Sequence, residues 1–225
     1  MNKFEKFAEI LSLKLDGFNI KFKDESTFMK LLGKILFFNK GFMTSYKTTI
    51  WKTVYFTNRS SIEKNIDNNI VLLGHEFVHA SDAANFLKFL LFMFIYLSPQ
   101  ILAPFALILM PFNWILSLIL FLILLTPIPS LGRTYYEFKA YTMSLFIKNE
   151  LLKASGTSIE ERRNSLYLFV KTYNKWFIAS DYYFMWPFGI EKRLKEKTEE
   201  ILSENILEIK IFADMKKSLQ EAAII

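Results

Sequence analysis

Gly74-His75-Glu76-Phe77-Val78-His79-Ala80 is the stretch around which the chain is organised, because it holds both histidines of a 225-residue sequence, four positions apart around a glutamate. On a helix, residues i and i+4 project from one face, so the two imidazoles can meet one metal ion. Glu76, between them, can act as general base on a water held by that ion. The flanks read as helix: Ser60-Ser61-Ile62-Glu63 has the form of a capping box, and Ile62, Ile66, Ile70, Leu73 and Phe77 recur at helical spacing. Asn68, Leu72, His75, His79 and Asp82 share the other face, which directs the imidazoles away from the apolar stripe and into a cleft.

The composition points to a membrane. Hydrophobic residues make up 52% of the chain and 24 of them are Phe, too apolar for an ordinary soluble domain. From Phe89 to Pro129 there is no charged residue, a run of about 40 that exceeds what one helix needs to cross a bilayer and approaches what two need. Met110-Pro111-Phe112-Asn113 divides this run more evenly than Ser98-Pro99-Gln100 and is the preferred turn, with Trp114 at the interface. Lys88 flanks one end, Arg133 and Lys139 the other, which predicts both termini and the site on the cytoplasmic side. A strict count makes the second crossing short, so tilt, local thinning of the bilayer or a shallow re-entrant hairpin are further forms of the same expectation.

The net charge of +6 is spread through both halves and interleaved with Asp and Glu, a distribution that argues against nucleic acid and for anionic lipid headgroups. The N-terminus carries charges where a signal peptide needs an apolar core, so no cleaved export signal is expected.

Around the motif, residues 1–15 read as a helix with Phe4, Phe7, Ile10 and Leu11 on one face, stopped by Asp16-Gly17 before a strand at Phe18, Ile20 and Phe22. A second helix is expected from Ser26 or Thr27 to about Asn39-Lys40-Gly41, facing the core with Phe28, Leu31, Leu32, Ile35 and Leu36. Thr44 to Thr57 reads as one strand or a hairpin, placed to hold an extended peptide by backbone pairing. After the apolar run, a helix spans about 131–153, and Ser158-Ile159-Glu160-Glu161 caps another bearing Leu166, Phe169, Val170, Tyr173 and Phe177. The aromatic run Tyr182 to Phe188 reads as packing, and 191–223 as one or two charged amphipathic helices at a solvated surface.

A catalytic zinc site takes three protein ligands and leaves a position for water. With no cysteine and no third histidine, the remaining ligand is Asp or Glu from a separate element. Asp82 lies on the motif's own helix and is assigned a supporting bond to an imidazole N–H. Glu137 lies on another helix and is the stronger ligand candidate, provided the apolar run returns the chain to the side it left. For a transition-state oxygen donor, Arg133, Tyr135, Tyr136 and Tyr141 lie near Glu137 in sequence; Tyr141 and Arg133 rank first, against plain packing of the tyrosines.

His75-Glu76-Phe77-Val78-His79 followed by hydrophobic segments and Glu137-Phe138-Lys139-Ala140 resembles the gluzincin membrane endopeptidases typified by HtpX and the type 1 CAAX prenyl proteases, over roughly residues 60–150. Tyr141 stands where that family usually has Asp. The resemblance implies a zinc endopeptidase of peptide or protein substrates, with His75, His79 and Glu137 as ligands and Glu76 as general base. The expected fold is mainly α with a small β element, a zincin-like domain (1–83 and 131–225) interrupted by a transmembrane or re-entrant helical hairpin (84–130). The alternative is a catalytically inactive, membrane-anchored interaction protein retaining that fold.

Overall fold

The computed structural model describes residues 2–37, 39, 41–126, 128–178, 185–186 and 188–225. The chain is mainly helical with one small sheet. Asn2 caps α1 (Lys3–Lys14) in a capping box with Glu5, and α1 buries Phe4, Phe7 and Leu11, as their spacing predicts. Strand β1 (Asn19–Phe22) pairs parallel with β3 (Thr53–Phe56), and β2 (Thr48–Ile50) pairs antiparallel with β3, giving the order β1-β3-β2 with β2 at an edge. The 44–57 stretch is therefore a hairpin, turned at Trp51, which adopts a positive φ of 54°. Alternation along β3 sends Val54 and Phe56 into the main core and Tyr55 to the opposite face, where it packs with Met29 and Phe42.

That second face is covered by α2 (Thr27–Ile35), capped by Ser26. Here the expectation is corrected: α2 ends at Ile35, and it buries Met29, with Leu32 and Leu36 packed beside it, while Phe28, Leu31 and Ile35 are exposed. The apolar band on α2 is wider than the face the sheet can cover. Beneath the following turn Lys23 is fully buried, its Nζ donating to Phe42 O (2.6 Å) and Tyr46 O (2.8 Å) and lying 4.2 Å from the centre of the Phe42 ring.

The motif helix does not begin at the serine box. Asn58 caps a short helix α3 (Arg59–Glu63), and Asn65 caps α4 (Ile66–Asp82), each side chain accepting the backbone N–H three residues on. The chain bends by 110° into α5 (Phe86–Tyr96), continues through short helical turns over Gln100–Leu109 that include α6 (Ala103–Ala106), and returns in α7 (Trp114–Leu125). The return is antiparallel: Ser117 Oγ donates to Ala106 O (2.8 Å) near the tip and Gln100 Nε2 to Thr126 O (3.0 Å) at the base. The turn falls at 110–113, as preferred, with a further break after Tyr96. No single helix among the described residues is long and apolar enough to cross a membrane; the 12 residues of α7 reach about 18 Å at 1.5 Å per residue, against a hydrocarbon core of about 30 Å.

Ser130 caps α8 (Leu131–Ala154), which runs antiparallel to α4 and packs on α9 (Ile159–Ile178), α10 (Ile190–Leu202) and α11 (Lys210–Glu221). Ser158 and Glu161 cap α9 reciprocally, as read from the sequence. The 191–223 region is corrected from a solvated surface to two core helices: Leu194, Ile201, Leu202, Phe212, Met215 and Leu219 are buried in the main core. The aromatic run 182–188 lies largely outside the described residues; within it Met185 is buried and Trp186 N donates to Thr134 Oγ1 (2.6 Å).

The segments before and after the hairpin build one core, and α4 against α8 is its centre. Gly74 makes their approach possible, since a Cβ there would lie 2.0 Å from Ile147 Cδ1. Gly74→Ala is expected to destabilise the fold by about 1–3 kcal/mol through overpacking. Ile147→Val removes the methyl in the way, so in urea unfolding the double variant should be more stable than the summed single changes predict.

Lys23 gives a second test. Burial pushes its amine down to about 8 from 10.5, against the opposing charge of Glu76 and assisted by Lys47. Between those values the unfolded chain binds more protons than the folded one, so the Lys23 contribution to stability rises with pH across that window and is constant below it. The urea midpoint of the wild type minus that of Lys23→Met should climb over the same range; a flat difference would show that Lys23 is charged in the folded state throughout.

Candidate metal centre

The antiparallel pairing of α4 and α8 sets residues opposite one another in a ladder: Gly74 meets Ile147, His75 meets Tyr141 and Ser144, and His79 meets Glu137. Glu137 sits between the imidazoles, with Oε2 3.4 Å from His75 Nε2 and Oε1 3.4 Å from His79 Nε2. One ligand atom from each of the three residues can be chosen so that all lie within 4.8 Å of one another. A distance of 3.4 Å is long for a hydrogen bond and matches the edge of a tetrahedron whose corners lie about 2.1 Å from a central zinc.

The surrounding bonds leave the required lone pairs available. Ser144 Oγ donates to Ala140 O, so its oxygen can accept from His75 Nδ1 (3.3 Å), which puts the free lone pair of that ring on Nε2. The Tyr96 hydroxyl donates to Glu137 Oε1 at 2.6 Å, while Oε2 is buried without a hydrogen-bond partner among the described residues. The carboxylate thus has one oxygen held by Tyr96 and set beside His79, and the other unsatisfied and set beside His75. These residues fit a three-ligand zinc site.

Burial opposes charge on Glu137, but the adjacent His79 and His75 imidazoles outweigh it and hold the carboxyl well below the usual carboxylate range. Burial likewise disfavours the His79 imidazolium, and the Glu137 carboxylate overcomes it to raise that pKa. Glu76 follows His75 on α4, and its Oε2 accepts a 2.6 Å bond from Thr49 Oγ1 on the edge strand β2.

Several expectations change. The open cleft is replaced by a closed site: His75, Glu76, His79 and Glu137 are 7%, 9%, 6% and 4% exposed. The cause is that α8 lies along the histidine face and α5 crosses over it, with the Phe92 and Tyr96 rings 5.9 and 6.0 Å from the His79 ring. Asp82 does not support an imidazole. It forms an ion pair with Lys139 across the α4–α8 interface, and His79 Nδ1 has no partner among the described residues.

Of the proposed oxygen donors, Tyr141 packs its ring 4.7 Å from His75 and is surrounded by Tyr173, Trp176 and Phe177. Arg133 is buried one turn before Glu137 with its guanidinium 5.1 Å from the Tyr96 ring centre. Tyr136 packs on Phe92, and Tyr135 is largely exposed.

Tyr96 is the residue that sequence reasoning missed. It sits in the uncharged run read as lipid-facing, and its one signal was that it is the only tyrosine between Phe89 and Pro129. The chain matches no protein-family model, and no curated protein or solved structure shows significant similarity to it. Tyr96→Phe is expected to weaken zinc binding about 10–100-fold, the usual effect of removing a group that orients a ligand. Competition with a chromophoric chelator measures this, and circular dichroism should show an unchanged fold.

Proposed function

We propose that the protein is a membrane-anchored zinc endopeptidase. The observation that carries this reading is the convergence of His75, His79 and Glu137 on one point, from helices separated by a long apolar excursion, with Glu76 beside them. Zinc held there would supply a Lewis acid and a water of lowered pKa. Glu76 takes the water proton and passes it to the leaving amine, with Thr49 fixing one carboxylate oxygen and so orienting the other. Tyr96 keeps one Glu137 oxygen and leaves the second for the metal. Strand β2, an edge strand tied to the general base through Thr49, suits an extended peptide added by backbone pairing.

Anchoring is supported by the hairpin surface. Phe105, Ile108, Phe112, Trp114, Ile115 and Leu122 are all more than half exposed, and a contiguous apolar surface of that kind marks a lipid or protein contact. Arms this short suit a re-entrant hairpin that enters one leaflet and returns, which keeps the histidines and Glu137 on one side, the cytoplasmic side by the placement of the flanking lysines and arginine.

The burial of the cluster favours one other reading, an inactive interaction protein in which metal is a structural staple, since structural zinc sites are closed. Glu76→Gln separates the two. On the endopeptidase reading it keeps the bound zinc and fold while peptide cleavage falls by about 10²–10⁴-fold, the range for loss of a general base. Purified protein that holds no zinc would refute both readings.

A further inference from the structure

Helix α5 has two apolar faces. Phe89, Phe92 and Tyr96, at spacings of three and four, point inward: Phe89 stacks on Trp51 of the β2–β3 turn (5.7 Å), Phe92 lies against His79 and Tyr136, and the Tyr96 hydroxyl holds Glu137. Phe86, Leu87, Leu90, Leu91 and Phe94 form the opposite stripe and are exposed, and this stripe continues into the exposed apolar residues of Gln100–Leu109 and α7. None of the residues of α5 is fully buried, although the helix roofs the buried cluster of His79 and Glu137. The hinge points are in place: a 110° bend joins α4 to α5 over residues 83–85, and the helix breaks again after Tyr96.

A peptide cannot reach groups that are more than nine-tenths covered, and among the described residues α5 is the least embedded element of the cover. Its inner face would exchange aromatic contacts for lipid or peptide contacts of the same apolar character, so displacement costs little beyond the Tyr96 hydrogen bond.

We propose that α5 is a gate over the metal centre, latched by Tyr96 on Glu137, and that a lipid surface which takes up its outer stripe opens it. This rests on the endopeptidase reading above. A lipid surface shifts the equilibrium only if it binds the open arrangement better, and the inner aromatic face of Phe89 and Phe92, covered while α5 is down, supplies that difference when it lifts. The site is then closed off the membrane and accessible on it, which confines cleavage to substrates at the bilayer surface.

The absence of native cysteine allows a direct test in the full chain. W51C/F89C puts thiols in place of two rings that stack 5.7 Å apart, and a disulfide between them ties α5 to the β2–β3 turn. The disulfide is expected to form readily without lipid and roughly tenfold more slowly with phosphatidylcholine–phosphatidylglycerol vesicles, reflecting the population shift. In the zinc-loaded protein on vesicles, the lock should slow zinc transfer to a chelator by at least about tenfold on the same shift and abolish peptide cleavage, and reduction should restore both. Equal rates of disulfide formation with and without vesicles, or a locked protein that exchanges zinc and cleaves peptide as fast as the reduced one, would overturn the gate. The disulfide arm needs no metal, so if the protein proves to bind no zinc, movement of α5 is still read and the two failures remain distinct.

Discussion

A buried carboxylate held between two imidazoles is the constraint on which the rest of the structure depends. Removing the charge of Glu137 from water costs several kcal/mol, and that cost is offset only if both its oxygens find strong partners. Tyr96 satisfies one oxygen; the other lies 3.4 Å from His75 Nε2, too distant for a good hydrogen bond. A divalent ion at that point would satisfy the second oxygen and both nitrogens together. The close helix approach at Gly74, the His75–Ser144 contact and the Asp82–Lys139 pair all fix the register of α4 on α8 that places Glu137 there.

That register also explains the course of the chain. For α8 to run antiparallel along α4, its first residues must lie near the end at which α4 finishes, so whatever joins them must leave and come back. The excursion does so with its ends in contact: a Cβ on Gly132 would lie 2.4 Å from the carbonyl oxygen of Ile95, which brings the start of α8 directly against the end of α5. The hairpin beyond adds nothing to the main core among the described residues, yet exposes large aliphatic and aromatic side chains. Such a surface lowers solubility without stabilising the fold, and an apolar surface of that kind marks a contact with lipid or protein.

The elements legible in the sequence were those with strong periodicity or a fixed chemical requirement. The ligand count narrowed the third partner to an Asp or Glu on a separate element, Glu137 is the candidate that the structure sets against both imidazoles, and α1, α8, α9 and the turn at 110–113 follow their capping and spacing signals. The burial of the histidine face was not legible, since periodicity separates the two sides of α4 but does not show that α8 covers the polar one. The caps at Asn58 and Asn65 were hidden by a serine box of equal local merit. On α2 and over 191–223, amphipathic character was correctly read, but which residues face the core is decided by tertiary packing that propensity does not contain. Tyr96 was missed because an apolar run reads as uniform, although a helix within it can turn one face to lipid and the other to a charged site.

The two walls beside Glu76 differ in how firmly they are held. Strand β2 is bonded to β3 along its length, tied to Glu76 through Thr49, and preceded by a turn that Lys23 clamps through two backbone carbonyls. Helix α5 is held by aromatic contacts, one phenolic hydrogen bond, the Arg133 guanidinium over the Tyr96 ring and, at its end, the close approach of Ile95 to Gly132. Separating β2 would break a backbone ladder and expose a buried amine, whereas lifting α5 exchanges one set of apolar contacts for another. On the endopeptidase reading proposed above, a peptide entering between them would find a fixed edge to pair with on one side and a movable wall on the other. On that reading Glu76 stays on the fixed side, so opening the site would not disturb the group proposed to move the proton.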